Sequence, residues 1–164
     1  MTNIFDGTVV EGAGKAAGER YAIVVSRYNQ SITTKLLAGA VDTLVEHGVA
    51  NAAIDVAWVP GAWEIPLVAQ RMATQGDYAA VLCLGAVIRG ETTHDQHINR
   101  AVSLGLNELS LDSGLPICFG LLTCESLEQA IHRAGGNVGN KGIECARAAL
   151  EMVSLLRSLP ARDS

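Results

Sequence analysis

Val81-Leu82-Cys83-Leu84-Gly85 runs without a charged side chain into Ala86-Val87-Ile88-Arg89-Gly90-Glu91-Thr92-Thr93-His94. A short apolar run of this kind reads as a strand buried on both faces. It empties into a turn holding a cation, a glycine, two hydroxyls and an imidazole placed to open the next helix. In an open α/β sheet the carboxyl ends of the strands are where ligands bind. A neutral imidazole exchanges protons near pH 7, and a glycine-bearing turn offers backbone N–H groups to an anion. The same residues also read as a polar loop capping a helix, with Thr92 or Thr93 as N-cap. Taken alone, the two readings stand level.

Outward from this stretch, strand and helix patterns alternate. Tyr21–Ser26 is a short apolar run rich in β-branched residues and reads as a central parallel strand. Ile32, Leu36, Ala40 and Leu44 then recur at fourfold spacing, a helical stripe that Gly48 ends as a C′ residue. Ile54–Val59 is a second strand, stopped at Pro60-Gly61, and Ile65, Val68, Ala69 and Met72 return to helical spacing with Pro66 in the first turn. Ala79–Val87 is the third strand. Ile98, Val102, Leu106 and Leu109 mark a third helix, terminated by Ser113-Gly114. Pro116–Leu122 supplies a fourth strand. Leu127, Ala130, Ile131 and Ala134 give a short helix halting at Gly135-Gly136. After the turn Asn137–Asn140, Ile143, Ala146, Leu150 and Val153 mark a long last helix. This alternation implies parallel pairing with helices on both faces.

The chain has 164 residues, which points to one domain, with residues 1–18 as an N-terminal arm and 159–164 as a polar tail. Thr8-Val9-Val10 reads as a short strand for an edge of its own sheet or a neighbour's, or else as unstructured arm. A hydrophobic fraction of 49% with 18% charged residues excludes disorder and suggests apolar surface covered by partner subunits. Net charge −5 and the lack of a basic run speak against a nucleic-acid partner. No apolar stretch approaches the ~20 residues of a membrane helix, and Met1–Gly7 lacks the regions of a signal peptide. The expected location is therefore the cytoplasm, with no membrane partner. Cys83, Cys118, Cys124 and Cys145 show no Cys-x-x-Cys spacing and are expected to be buried, reduced thiols.

Several motifs fail on inspection. Gly14-Lys15 lacks the first glycine and the Ser or Thr of a P-loop, and no G-x-G-x-x-G follows the first strand. His94 and His97 are three apart with Asp95 after the first, which is not the zincin pattern; no metal is expected. His47 reads as a C-terminal helix residue and His132 as exposed. Two other strand ends strengthen the site reading. Arg27-Tyr28-Asn29 follows the first strand and Gly61-Ala62-Trp63-Glu64 the second, each placing an aromatic beside a polar group. Aromatics are only 4% of the chain, so two at one sheet edge suggest a sandwich for a flat heterocycle, with Glu64 accepting from sugar-like hydroxyls. Trp63 also reads as a core plug beside Pro60. Lys141 opens a helix, where its charge is mismatched with the macrodipole, a small argument for functional use.

Ser26–Asn29, Trp58–Pro66, Gly85–His94, Phe119–Thr123, Arg133–Gly135 and Gly139–Gly142, in this order, resemble the lumazine synthase family. The resemblance implies a three-layer αβα sandwich on a four-stranded parallel sheet, flavodoxin-like in outline, with an N-terminal strand joining a neighbour. It implies condensation of 5-amino-6-ribitylaminouracil with 3,4-dihydroxy-2-butanone 4-phosphate to 6,7-dimethyl-8-ribityllumazine, phosphate and water, without cofactor or metal. By the same resemblance Tyr28 stacks on the pyrimidine beside Asn29, while Ala62, Trp63 and Glu64 hold ring and ribityl chain. Ala86, Val87 and Ile88 offer backbone contacts. Glu91 and Thr92 contact the phosphate-bearing substrate and Arg133 pairs its phosphate. Phe119 closes the cage from a neighbouring subunit with Arg133 and Lys141, and His94 transfers protons. The family assembles as pentamers, and the uninterrupted Gly135–Asn140 turn resembles its icosahedral shell-formers. Tyr28 and Trp63 depart from the usual aromatics but keep a stacking face. Asp95 stands where an aromatic is common, and Asn137 where a lysine is. The Asp95 neighbourhood alone favours a second reading, a non-catalytic binding or shell protein of the same fold; intact His94, Arg133 and Lys141 oppose it.

Overall fold

The computed structural model describes residues 7–160. Every side chain of β1 (Tyr21–Ser26) is buried, because the strand lies inside the sheet with helices over both faces. Strands β2 (Ile54–Val59), β3 (Ala80–Ile88) and β4 (Ile117–Cys124) complete a parallel sheet in the order β2-β1-β3-β4. Helices α1 (Gln30–Glu46), α2 (Ile65–Gln75), α3 (His94–Ser113), α4 (Leu127–Arg133) and α5 (Lys141–Ser158) cover it. The result is the α/β three-layer sandwich, flavodoxin-like in outline.

Strand alternation sorts the core into two layers. Tyr21, Ile23, Val25, Leu82 and Leu84 pack with Ile32, Leu36 and Leu44 of α1, Ala130 of α4 and Ala146, Leu150 and Val153 of α5. On the opposite face Ala22, Val24, Val81 and Cys83 meet Ile65 and Ala69 of α2 and Val102, Leu106 and Leu109 of α3. The helical stripes of α1, α2, α3 and α5 thus lie in or against the core, whereas on α4 Ala130 is buried but Leu127 and Ile131 of the expected stripe are exposed. At Gly142 a Cβ would stand 1.9 Å from the Leu36 carbonyl oxygen, so glycine lets α5 approach α1 backbone to backbone. On edge strand β2, Asp55 accepts from the Tyr78 hydroxyl at 2.6 Å and from Arg20 at 2.5 Å. These bonds hold its carboxyl below the usual range.

The observed elements differ from the sequence reading in a few places. Thr8-Val9-Val10 forms no strand here; residues 12–19 instead lie along α5 and the end of α1. The Gly14 N–H donates to Ser154 Oγ at 3.1 Å, the Ala16 N–H donates to the His47 carbonyl at 3.2 Å, and Glu19 pairs with Arg157. The first six residues of the expected arm, most of the Met1–Gly7 segment, and residues 161–164 of the expected tail lie outside the described residues. Strand β4 runs to Cys124 rather than Leu122, since Thr123 and Cys124 still find partners in Val87 and Ile88. The Asn137–Asn140 turn belongs to a small hairpin of β5 (Ala134–Gly136) and β6 (Gly139–Asn140), too short to leave an alternation signal. Cys83, Cys118 and Cys145 are buried, but Cys124 is only half-buried.

Tyr21 is fully buried and its hydroxyl has no hydrogen-bond partner among the described residues. Burial pushes the phenol up to about 12. An unfolded tyrosine releases its proton near ~10, so between these values the folded chain binds more protons and stability falls as pH rises. Over the full window this removes roughly 2–3 kcal/mol. Tyr21→Phe should abolish that alkaline slope and be neutral or stabilising at pH 7, since it deletes an unpaired buried hydroxyl. Urea unfolding of both proteins at pH 8 and pH 11.5 checks this; parallel losses would refute it.

Candidate functional site

The strand order reverses direction between β1 and β3, and at that switch point the carboxyl ends of the two strands part to leave a crevice. Asn29 holds the crevice open. It takes the left-handed conformation (φ 60°), which asparagine tolerates better than most residues. Its backbone carbonyl accepts from the Ile32 and Thr33 N–H groups at 2.9 and 3.1 Å, starting α1. Its side-chain amide donates to the Ala86 carbonyl at 2.8 Å, tying β1 to β3. Across the second strand end, the Gly61 N–H donates to Glu64 Oε2 at 2.9 Å and fixes the turn that presents Trp63.

The crevice has a volume of about 420 Å³. Among its lining residues are Tyr28, Ala62, Trp63, Thr92, His94 and Asp95, with Ala86, Val87 and Ile88 forming the floor. Tyr28 is 73% exposed and Trp63 59%, which excludes Trp63 as a core plug and leaves both rings free to face a ligand. His94 is the first residue of α3, exposed at the helix N-terminus. Thr93 occupies the N-cap position without a side-chain bond; Thr92 Oγ1 instead accepts from the His94 N–H at a long 3.4 Å. The expected cap is therefore weak, and the turn is not held rigidly by it. Arg89 is drawn away to Glu125 at 2.9 Å.

A second cleft of about 510 Å³ opens beside the edge strand β4, between α4, the hairpin and the start of α5. It is lined by Phe119, Cys124, Gln129, His132, Arg133 and Lys141, among others. Glu144 in the first turn of α5 takes Lys141 Nζ at 3.2 Å and Arg133 at 3.4 Å on the same oxygen. Two cations against one carboxylate leave net positive charge for an anion, and Glu144 also offsets the mismatch of Lys141 with the helix dipole. Arg133 is further oriented by donating to the Val138 carbonyl at 3.3 Å.

The candidate residues thus divide into two groups. Tyr28, Ala62, Trp63, Ala86, Val87, Ile88, Thr92 and His94 share the switch-point cleft; Phe119, Arg133 and Lys141 share the edge cleft; the two have no lining residue in common. Asn29, Glu64 and Glu91 line neither: the first two serve the backbone, and Glu91 is exposed on its turn. His132, expected to be exposed, is half-buried in the wall of the edge cleft. Sequence reasoning missed Glu144, although Lys-x-x-Glu at a helix start is a legible ion-pair spacing. No cluster of three or more metal-ligating side chains exists among the described residues.

These features define an α/β protein of flavodoxin-like build, with an aromatic cleft at the switch point and a cationic cleft at the sheet edge. Residues 18–157 match the model of the 6,7-dimethyl-8-ribityllumazine synthase family, and the chain belongs to that family. Membership places it among the lumazine synthases of riboflavin biosynthesis, transferases by the family's name. No helix among the described residues is long and apolar enough to cross a membrane.

Proposed function

We propose that the chain condenses 5-amino-6-ribitylaminouracil with 3,4-dihydroxy-2-butanone 4-phosphate, releasing phosphate, water and 6,7-dimethyl-8-ribityllumazine. The observation that carries this reading is the division of charge and aromaticity between the two clefts. A flat ring fits between Tyr28 and Trp63 over the floor of Ala86, Val87 and Ile88. A phosphate suits Arg133 and Lys141. Thr92 lines the ring's cleft, the exposed Glu91 precedes it on the same turn, and Asn29 and Glu64 support the walls. The 5-amino group attacks the ketone, water leaves to give an imine, phosphate is eliminated, and the ring closes with loss of a second water. Each step moves protons near neutral pH, a task for His94.

Each cleft supplies half of what the reaction needs, and neither holds both halves. Setting the switch-point cleft of one copy against the edge cleft of the next brings Phe119, Arg133 and Lys141 of one subunit to His94 of another. Such a contact joins unlike patches and closes into a ring if the rotation permits. Exposed Leu67, Leu104 and Leu111 give further apolar surface to cover in a homo-oligomer. We read the assembly as pentamer-based, with icosahedral shells as its larger form, at work in the cytoplasm. Incubating the purified protein with both substrates and following lumazine absorbance tests the function. Acceleration over the buffer reaction is expected; its absence would leave the non-catalytic binding or shell protein as the better reading.

A further inference from the structure

Among the described residues the switch-point cleft is lined by one carboxylate, and it is not the one the sequence singled out. Glu64, expected to accept from sugar-like hydroxyls, spends its Oε2 on the Gly61 N–H and lies outside the cleft lining. Glu91 is also outside it. Asp95 lines the cleft with Tyr28, Trp63 and His94. It sits half-buried in the first turn of α3, where the helix dipole favours a negative charge. No cation forms a direct ion pair with it among the described residues; Arg89 feels its charge but is paired with Glu125. One of its oxygens, Oδ1, is closed off from solvent and receives no hydrogen bond among the described residues. That shielded oxygen is out of a ligand's reach, so a ligand donor meets the carboxylate at Oδ2, where no donor among the described residues competes with it.

Building on the proposed function, we propose that Asp95 is a specificity-determining residue that accepts hydrogen bonds from the N–H groups of the aminopyrimidine substrate. The chemistry of the two substrates makes the assignment one-sided. The pyrimidine is rich in N–H donors, whereas the keto-phosphate brings negative charge that a carboxylate repels. Asp95 and the pair Arg133 and Lys141 thus sort the substrates by charge. The donor-rich ring is drawn to the switch-point cleft, and the phosphate is turned toward the edge cleft. A ligand N–H that reaches the accessible oxygen displaces water and forms a charge-assisted hydrogen bond, the stronger kind. Asparagine keeps the shape but replaces one acceptor by a donor, and alanine removes the group.

The test is calorimetric titration of the assembled protein with 5-amino-6-ribitylaminouracil alone and, separately, with inorganic phosphate. Hydrogen bonds to charged groups are worth roughly tenfold to a hundredfold in affinity. Asp95→Asn and Asp95→Ala should weaken the pyrimidine by about that factor and leave phosphate binding within about twofold, with Asp95→Glu restoring part of the loss. An unchanged pyrimidine affinity overturns the proposal, and so does equal weakening of both ligands at unchanged melting temperature. If Asp95→Asn fails to fold, Asp95→Glu and Asp95→Ser are titrated against the same two criteria. Should the wild type bind the pyrimidine in an Asp95-dependent way yet form no lumazine, the proposed function falls and the role of Asp95 stands. Turnover by the wild type with an indifferent Asp95→Asn gives the reverse result.

Discussion

His94→Ala should lower the turnover number by about a hundred- to ten-thousand-fold, the usual worth of a general acid–base group. That range corresponds to roughly 3–5 kcal/mol of transition-state stabilisation. The His94 side chain does little for the fold. His94 is exposed at the start of α3, its N–H reaches Thr92 only at 3.4 Å, and its ring belongs to neither core layer. Removal should therefore leave the melting temperature almost unchanged. Its effect should fall on the chemical step, because imine formation, elimination and ring closure all shift protons and no other imidazole lines the switch-point cleft. A residual rate should persist, since holding two reactants in register can itself supply several kcal/mol, up to roughly 7–11. Single-turnover kinetics with both substrates saturating is the appropriate measurement. An unchanged rate at unchanged stability would reduce His94 to the residue that opens a helix.

The reasons that some of this was readable in the sequence and some was not are physical. The parallel sheet is legible because its central strands are buried on both faces: Ala22–Val25 and Val81–Ala86 are continuous apolar runs with no charged or exposed polar side chain to suggest a surface helix. The helix ends are legible wherever a glycine takes a left-handed conformation, as at Gly48 (φ 98°) and Gly114 (φ 69°). The hairpin around Asn137 is not, because strands of three and two residues carry no periodic signal. In the site, strand ends announced the aromatics and His94, since loops after parallel strands are where ligands bind. Side-chain commitments were invisible. That Glu64 turns back on Gly61 and Asn29 bridges to Ala86 depends on which backbone groups the fold leaves unpaired, and that Arg89 pairs with Glu125 depends on β3 and β4 ending side by side. The same holds for the separation of the two clefts. Sequence order places Phe119 on the strand that follows the helix opened by His94, but only the sheet order shows one at an edge and the other at the switch point.

Arg133→Ala should raise KM for the keto-phosphate by about tenfold to a hundredfold while moving KM for the pyrimidine by less than about twofold. A guanidinium presents a planar fork that matches phosphate oxygens, and here the fork is already oriented by the Val138 carbonyl and Glu144. Lys141 stands across the same cleft as a point charge and shares Glu144 with Arg133. When Arg133 is removed, Glu144 is left with Lys141 alone, so the lysine is neutralised by its carboxylate and the cluster's net positive charge is lost. Lys141→Ala should consequently be the milder change, because Arg133 keeps its fork. Glu144→Gln should act in the opposite sense and tighten the phosphate substrate, since it frees both cations. A structural role for Arg133 predicts something different. Loss of its bond to Val138 would loosen the hairpin, lower the melting temperature and weaken both substrates alike. Steady-state KM values for each substrate, measured with the melting temperature of each variant, separate the two accounts. Arg133→Lys sharpens the comparison, because it retains the charge without the fork and should recover only part of the phosphate affinity.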